Sequence, residues 1–232
     1  MPPSSTSSAV ADAAAVFHLV FLRFKREHCT EAVAAAGHAA AQGLLLRIPG
    51  VTSARFGRTF NGGERTQGFT HSLCVVFEDR RAFDGWADSP LHEAWGTLHV
   101  GPYLDGPGAT SIVKIDMAAP VVAADGAGEV VDHTVFFNMR GSFDGQMLAA
   151  AKASLQSHLS KIPGVLYSSF GKAFLHKGDA EYALHVKLIS KDALQCYADH
   201  PLHRQWVERF ITEHCISKQA LDSASPALRA RL

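Results

Sequence analysis

RIPGVTSARFGRTF, residues 47–60, returns as KIPGVLYSSFGKAF at residues 161–174. Further along, ADSPLHEAW (87–95) returns as ADHPLHRQW (198–206). The first pair is offset by 114 positions and the second by 111, so one short deletion in a loop separates them. A near-constant offset over motifs so far apart marks a duplicated domain of about one hundred residues.

Working outward from these motifs, Phe17–Lys25 is too short, aromatic and β-branched for a helix and reads as a strand with apolar residues on both faces. Thr30 offers an N-cap for an Ala-rich helix to about Arg47, which Pro49-Gly50 stops. Strands follow at Val51–Arg58 and Phe69–Phe77, separated by the turn signal Asn61-Gly62-Gly63. Helices at Arg80–Ala87 and from Pro90 to before Gly101 precede a last strand, Thr110–Met117. The second copy repeats the order: strand His133–Met139, helix Asp144–Lys161, strands Val165–Phe174 and Tyr182–Ile189, and a last strand near Cys215–Leu221. The expected division is a leader (1–15), a first domain (16–117), an Ala/Gly/Pro-rich linker (118–130), a second domain (131–222) and a tail (223–232).

Each copy is thus β-α-β-β-α-β, the ferredoxin-like plan, and the chain is α+β. Helices cover one face of such a sheet. The uncovered face is assigned to Val20, Leu22 and Phe24 with Leu73, Val75 and Phe77, residues costly to leave in water. Packing the two uncovered faces together predicts a barrel inside one chain, with an apolar chamber between the sheets.

Composition excludes other classes. Of 232 residues, 47% are hydrophobic and 19% charged, a globular balance. Lys plus Arg equals Asp plus Glu, 22 each, with no basic run, which argues against nucleic acid or an anionic membrane as partner. No apolar run reaches the ~18 residues of a membrane helix. Cys29, Cys74, Cys196 and Cys215 form no C-x-x-C pair and read as free thiols. Trp86, Trp95 and Trp206 read as core anchors.

In order, His18–Lys25, Ile48-Pro49-Gly50, Phe56-Gly57, Gly68-Phe69-Thr70-His71 and Ser89-Pro90-Leu91-His92 resemble the stress-responsive dimeric α/β-barrel family. The resemblance covers nearly all of residues 16–117 and, more loosely, 131–222. It implies two domains stacked by their sheets, here a pseudo-dimer within one chain, with a further homodimer left open. Plant polyketide cyclases of the olivetolic acid cyclase type, which resemble this family, use a Tyr and a His in a Tyr-x-x-His-Pro-x-His segment. The second repeat keeps it as Tyr197-Ala-Asp-His200-Pro201-Leu202-His203, whereas the first has Trp86 and Ser89, retaining only His92. The resemblance therefore implies Tyr197 and His203 as a catalytic pair, with His18, His71, His92, His133, Tyr182 and His200 as ligand-contacting positions.

A neutral imidazole can take a proton near neutral pH and a phenol can stabilise a forming enolate, so the pair suits proton chemistry beside a carbonyl. Three readings follow: a stress-associated protein holding a small apolar or aromatic molecule, a cofactor-independent cyclase, or a structural protein with a filled barrel. No metal cluster is evident, since His200 and His203 lack further ligands. Family members that hold magnesium do so through backbone carbonyls at the end of the first helix, which leaves no side-chain signature.

The chain ends Ala230-Arg231-Leu232, a variant of the Ser-Lys-Leu address read by the peroxisomal import receptor. Duplicated members with such an ending resemble a plant subset of the family. A fluorescent tag after Leu232 is expected to displace the protein from peroxisomes and a tag before Met1 to leave it there; identical distributions would refute the address.

Overall fold

The computed structural model describes residues 15–60, 66–107, 110–116, 129–177 and 181–226. The first repeat comprises β1 (Val16–Leu22), α1 (Glu31–Leu44), β2 (Val51–Thr59), β3 (His71–Phe77), α2 (Arg80–Trp86), α3 (Pro90–His99) and β4 (Thr110–Asp116). The second comprises β5 (Glu129–Met139), α4 (Gly145–His158), β6 (Val165–Lys177), β7 (Tyr182–Leu188), α5 (Lys191–Asp199), α6 (Pro201–Val207), a π turn at Glu208–Thr212, and β8 (Cys215–Pro226). The turn expected at residues 61–63, most of the leader and linker, and the terminal Ala230, Arg231 and Leu232 lie outside the described residues.

Local chemistry sets these boundaries. Thr30, Asp79, Asp144 and Ser190 each accept a backbone N–H at the start of α1, α2, α4 and α5. The Ile-Pro-Gly motif ends each first helix because its glycine turns left-handed, with φ +78° at Gly50 and +86° at Gly164. A Cβ there would also lie 2.3 Å from Ala82 Cβ or 2.6 Å from Ala193 Cβ, so the glycine lets the next helix approach. Both following strands shift register just after the motif, between Val51 and Ser53 and between Val165 and Tyr167.

Within each repeat the strands pair antiparallel in the order β4-β1-β3-β2 and β8-β5-β7-β6. The sheets also join edge to edge. β2 bonds β8 at Arg58↔Ala224 and Thr59↔Ser223, and β4 bonds β6 from Ile112↔Lys177 to Ile115↔Ala173. The eight strands close into one barrel, which removes the open sheet edges that invite aggregation. The intramolecular pseudo-dimer expected from the repeat is therefore present, with hydrogen-bonded seams as well as packed faces.

The face assignment is corrected. Val20, Leu22, Phe24, Leu73, Val75 and Phe77 lie under the helices, packed with Leu45, Phe83, Trp86 and Trp95. The barrel interior is instead formed by Phe17, Leu19, Phe21, Cys74 and Val76 meeting Phe136, Tyr167, Ala183 and Leu221. Phe21 stacks on Phe136 across the repeats with ring centroids 4.4 Å apart. Every residue of β1 is buried, so apolarity alone could not say which face looks inward.

Charge decides it. Arg55, Asp132, His185 and Lys187 are all at most 4% exposed and share the interior. Arg55, from the first repeat, makes a bidentate contact to Asp132 of the second, with Nε to Oδ2 at 3.0 Å. His185 Nε2 lies 3.3 Å from Asp132 Oδ1, and its Nδ1 is 2.9 Å from Thr134 Oγ1. Burial opposes the Asp132 charge, but Arg55, His185 and Lys187 outweigh it and hold the carboxyl well below its usual range. Lys187 Nζ lies 5.8 Å from the centroid of the Tyr167 ring.

Candidate functional site

The cavity that contains the sequence-derived catalytic pair is not between the sheets. It lies between the sheet and the helices of the second repeat, with a volume of about 230 Å³. Its floor is His133, Val135 and Phe137 of β5 with Ala220 and Lys218 of β8, Asp222 pairing with His133 at one end. Its wall and roof come from Leu194, Tyr197 and Ala198 of α5, His203, Trp206 and Val207 of α6, Ile211 of the π turn, and Leu184 of β7. The size is below the roughly 300–1,000 Å³ of drug-sized sites, so it suits a small, mainly apolar molecule.

Tyr197 and His203 face each other with ring centroids 4.4 Å apart. Tyr197 is 1% exposed, and among the described residues its hydroxyl has no hydrogen-bond partner. Burial pushes the phenol pKa up, so it remains a donor at any physiological pH. The His203 Nδ1–H donates to the Ala198 carbonyl at 3.0 Å, which leaves Nε2 as the acceptor in the neutral ring. Burial chiefly lowers the His203 pKa, helped by the charges of His133, Arg204 and Lys218 and opposed by the Ala198 bond. His133 completes the group: its Nδ1–H donates to Asp222 at 2.5 Å, and its ring lies 5.8 Å from that of Tyr197.

The other expected positions do not join them. His200 caps α6, its Nδ1 accepting the Leu202 N–H at 3.2 Å, and is absent from the cavity lining. Tyr182 is core, stacked on Phe170 and edge-on to Phe143. His18 packs against Phe83 and Trp86, and His92 stacks on Trp86 at 4.3 Å. At the positions of Leu194 and Tyr197 the first repeat carries the bulkier Phe83 and Trp86, both buried, at 6% and 2% exposure.

His71 is fully buried between Phe24 and Phe56, its Nδ1 2.9 Å from Thr70 Oγ1 and its Nε2 without a partner among the described residues. Burial, reinforced by Arg58, lowers its pKa to about 4. The unfolded chain then binds the extra proton between pH ~6.5 and ~4, so stability falls as pH drops through that window. The expected loss is on the order of 3 kcal/mol. A His71→Phe variant should flatten urea-melt stability over this range; an unchanged slope would contradict the assignment.

Sequence reading missed Asp222, Lys218 and Leu194. The last strand was expected to end near Leu221, which left Asp222 outside it, and Leu194 carries no chemistry. The alternation Lys218, Ala220, Asp222 on one face and Leu221, Ser223, Ser225 on the other was the available signal. Among the described residues no group of three or more His, Cys, Asp or Glu side chains could hold a metal. At the end of α1 the carbonyls of Leu45 and Ile48 already accept the N–H groups of Ile48 and Val51. All four cysteines are free thiols. No helix among the described residues is long and apolar enough to cross a membrane.

Two tandem matches to the stress responsive A/B barrel domain, at residues 16–119 and 131–225, span most of the chain. The protein belongs to that family. Solved structures of the same architecture include a putative monooxygenase from Fusobacterium nucleatum, 12% identical, covering 94% of each chain at a TM-score of 0.68. A putative monooxygenase from Lactobacillus acidophilus is 11% identical, covering 93% of this chain and 98% of its own, at 0.65. An anthrone oxidase-like protein is 12% identical, covering 95% and 98%, at 0.61. At such identities the likeness concerns the fold alone. No curated protein sequence matches this one significantly.

Proposed function

We propose that the second-repeat cavity binds a small, largely apolar or aromatic molecule carrying a carbonyl, which accepts the Tyr197 hydrogen bond. One observation carries this reading: a phenol hydroxyl buried beside an apolar cavity without a partner among the described residues. A buried donor left unpaired costs about 1–3 kcal/mol, which a carbonyl ligand would recover. The barrel interior is the weaker candidate, because Phe17, Phe21, Phe136 and Tyr167 pack into it.

Mass spectrometry of metabolites that co-purify with the native protein should identify a small ketone-bearing molecule. A defined probe is butyrophenone, a neutral aryl ketone. Wild-type protein should bind it, and Tyr197→Phe should bind it about three- to tenfold more weakly, the worth of one hydrogen bond. The same substitution removes an orphaned hydroxyl, so the ligand-free variant should melt at the same or a higher temperature. Equal affinity in both proteins, or a lower melting temperature, would contradict the reading.

A second reading, turnover, is favoured by the Nε2 lone pair that the Ala198 bond leaves on His203. His203 Nε2 would take a proton from the carbon beside the carbonyl while the Tyr197 hydroxyl hydrogen-bonds the forming enolate oxygen. The enolate carbon would then attack a second carbonyl of the same molecule, closing a ring, and the imidazolium would return its proton to the new alkoxide. Removing the base should cost about 10²–10⁴ in rate. Because the His203 pKa is lowered, the rate should hold as pH falls past 6.5. Unchanged turnover in His203→Ala would end this reading.

A further inference from the structure

We infer that the ligand of this cavity is an acid, with a carboxylate held by Lys218 at the rim and a carbonyl at Tyr197 across an apolar body. The inference rests on the binding reading above and adds its substrate class. The cavity floor is graded along β8. Asp222 at one end is engaged by His133, Ala220 in the middle is apolar, and Lys218 closes the other end opposite Phe137. Four residues of strand separate the two ends, about 13 Å along the backbone, and the long lysine side chain shortens the gap a ligand must span.

Three observations point to an anion at that end. Lys218 lines the cavity yet remains exposed, and among the described residues it makes no ion pair. The carboxylate on the same strand face, Asp222, is already engaged by His133 at the other end of the slot. The lysine is also particular to the second repeat. In the first repeat, which carries Phe83 and Trp86 in place of Leu194 and Tyr197, the register puts Thr110 opposite Leu22, the place that Lys218 holds opposite Phe137. A cation at the open end of an apolar slot selects amphiphilic acids and attracts them from solution. The result is a small oxo acid lying along Val135 and Ala220, oriented by opposite chemistry at its two ends.

The test compares butyrophenone with 4-oxo-4-phenylbutanoate, which keeps the skeleton and replaces the terminal methyl by a carboxylate. Calorimetric titration of the wild type should show the acid binding about fivefold more tightly, the upper range for a partly exposed ion pair. The preference should shrink in high salt. Lys218→Met should abolish or reverse the preference, read as the ratio of the two affinities within each protein. If butyrophenone binds but the acid gains nothing, or the preference survives in Lys218→Met, the acid assignment is overturned and the cavity reading stands. If neither compound binds, both are overturned.

Discussion

Asp132→Asn is expected to destabilise the protein by about 3–5 kcal/mol, because it leaves the Arg55 guanidinium facing a neutral amide in the barrel interior. Asp132 is 4% exposed and Arg55 2%, so water cannot replace the lost charge. Arg55→Met should cost a similar amount for the reciprocal reason. The paired replacement Arg55→Met with Asp132→Leu should cost clearly less than the sum of the singles, since a buried ion pair is weak in net terms but expensive to break. Urea melts of the four proteins measure this directly. Additive losses, or an Asp132→Asn midpoint equal to wild type, would show that the pair does not join the two repeats. The contact bridges residues 77 apart in sequence, so its loss should also reduce the cooperativity between the halves.

The second large effect concerns the cavity. Leu194→Phe together with Tyr197→Trp installs the residues that the first repeat carries at these positions, Phe83 and Trp86. Ketone binding should weaken by at least about 100-fold, equivalent to roughly 3 kcal/mol. The added side-chain volume enters an existing void, so the melting midpoint should move little compared with overpacking of a filled core, which costs about 1–3 kcal/mol. Retained binding in a well-folded double variant would place the ligand elsewhere. Tyr197→Phe separates the hydroxyl from the volume: it should lose one hydrogen bond's worth of affinity and keep the cavity.

Much of the fold was legible because the Ile-Pro-Gly and Pro-Leu-His motifs recur at a nearly constant offset, and a duplicated small α+β domain has few ways to bury two sheets. The inward face was not legible. In β1 the residues of both parities are apolar, and only long-range partners, Arg55 with Asp132 and His185 with Thr134, distinguish them. The site was partly legible. Tyr197, His203 and His133 lie close together, whereas His200, three positions before His203, falls on the helix boundary and becomes a cap. His71 and His18 occupy strand positions that look equivalent in sequence yet pack into aromatic surroundings of the first repeat. Leu194 lines the cavity without carrying any chemistry, and its contrast with Phe83 appears only when the repeats are set side by side.

The central claim is that the ligand sits under the helices of the second repeat and not between the sheets. The chain has four tyrosines, of which Tyr167 lies in the barrel interior and Tyr197 lines the cavity. Labelling the phenol carbon with ¹³C and titrating 4-oxo-4-phenylbutanoate reads both places in one NMR experiment. The account predicts that the Tyr197 resonance moves with saturation while that of Tyr167 stays fixed; a shift of Tyr167 with Tyr197 unmoved would contradict it.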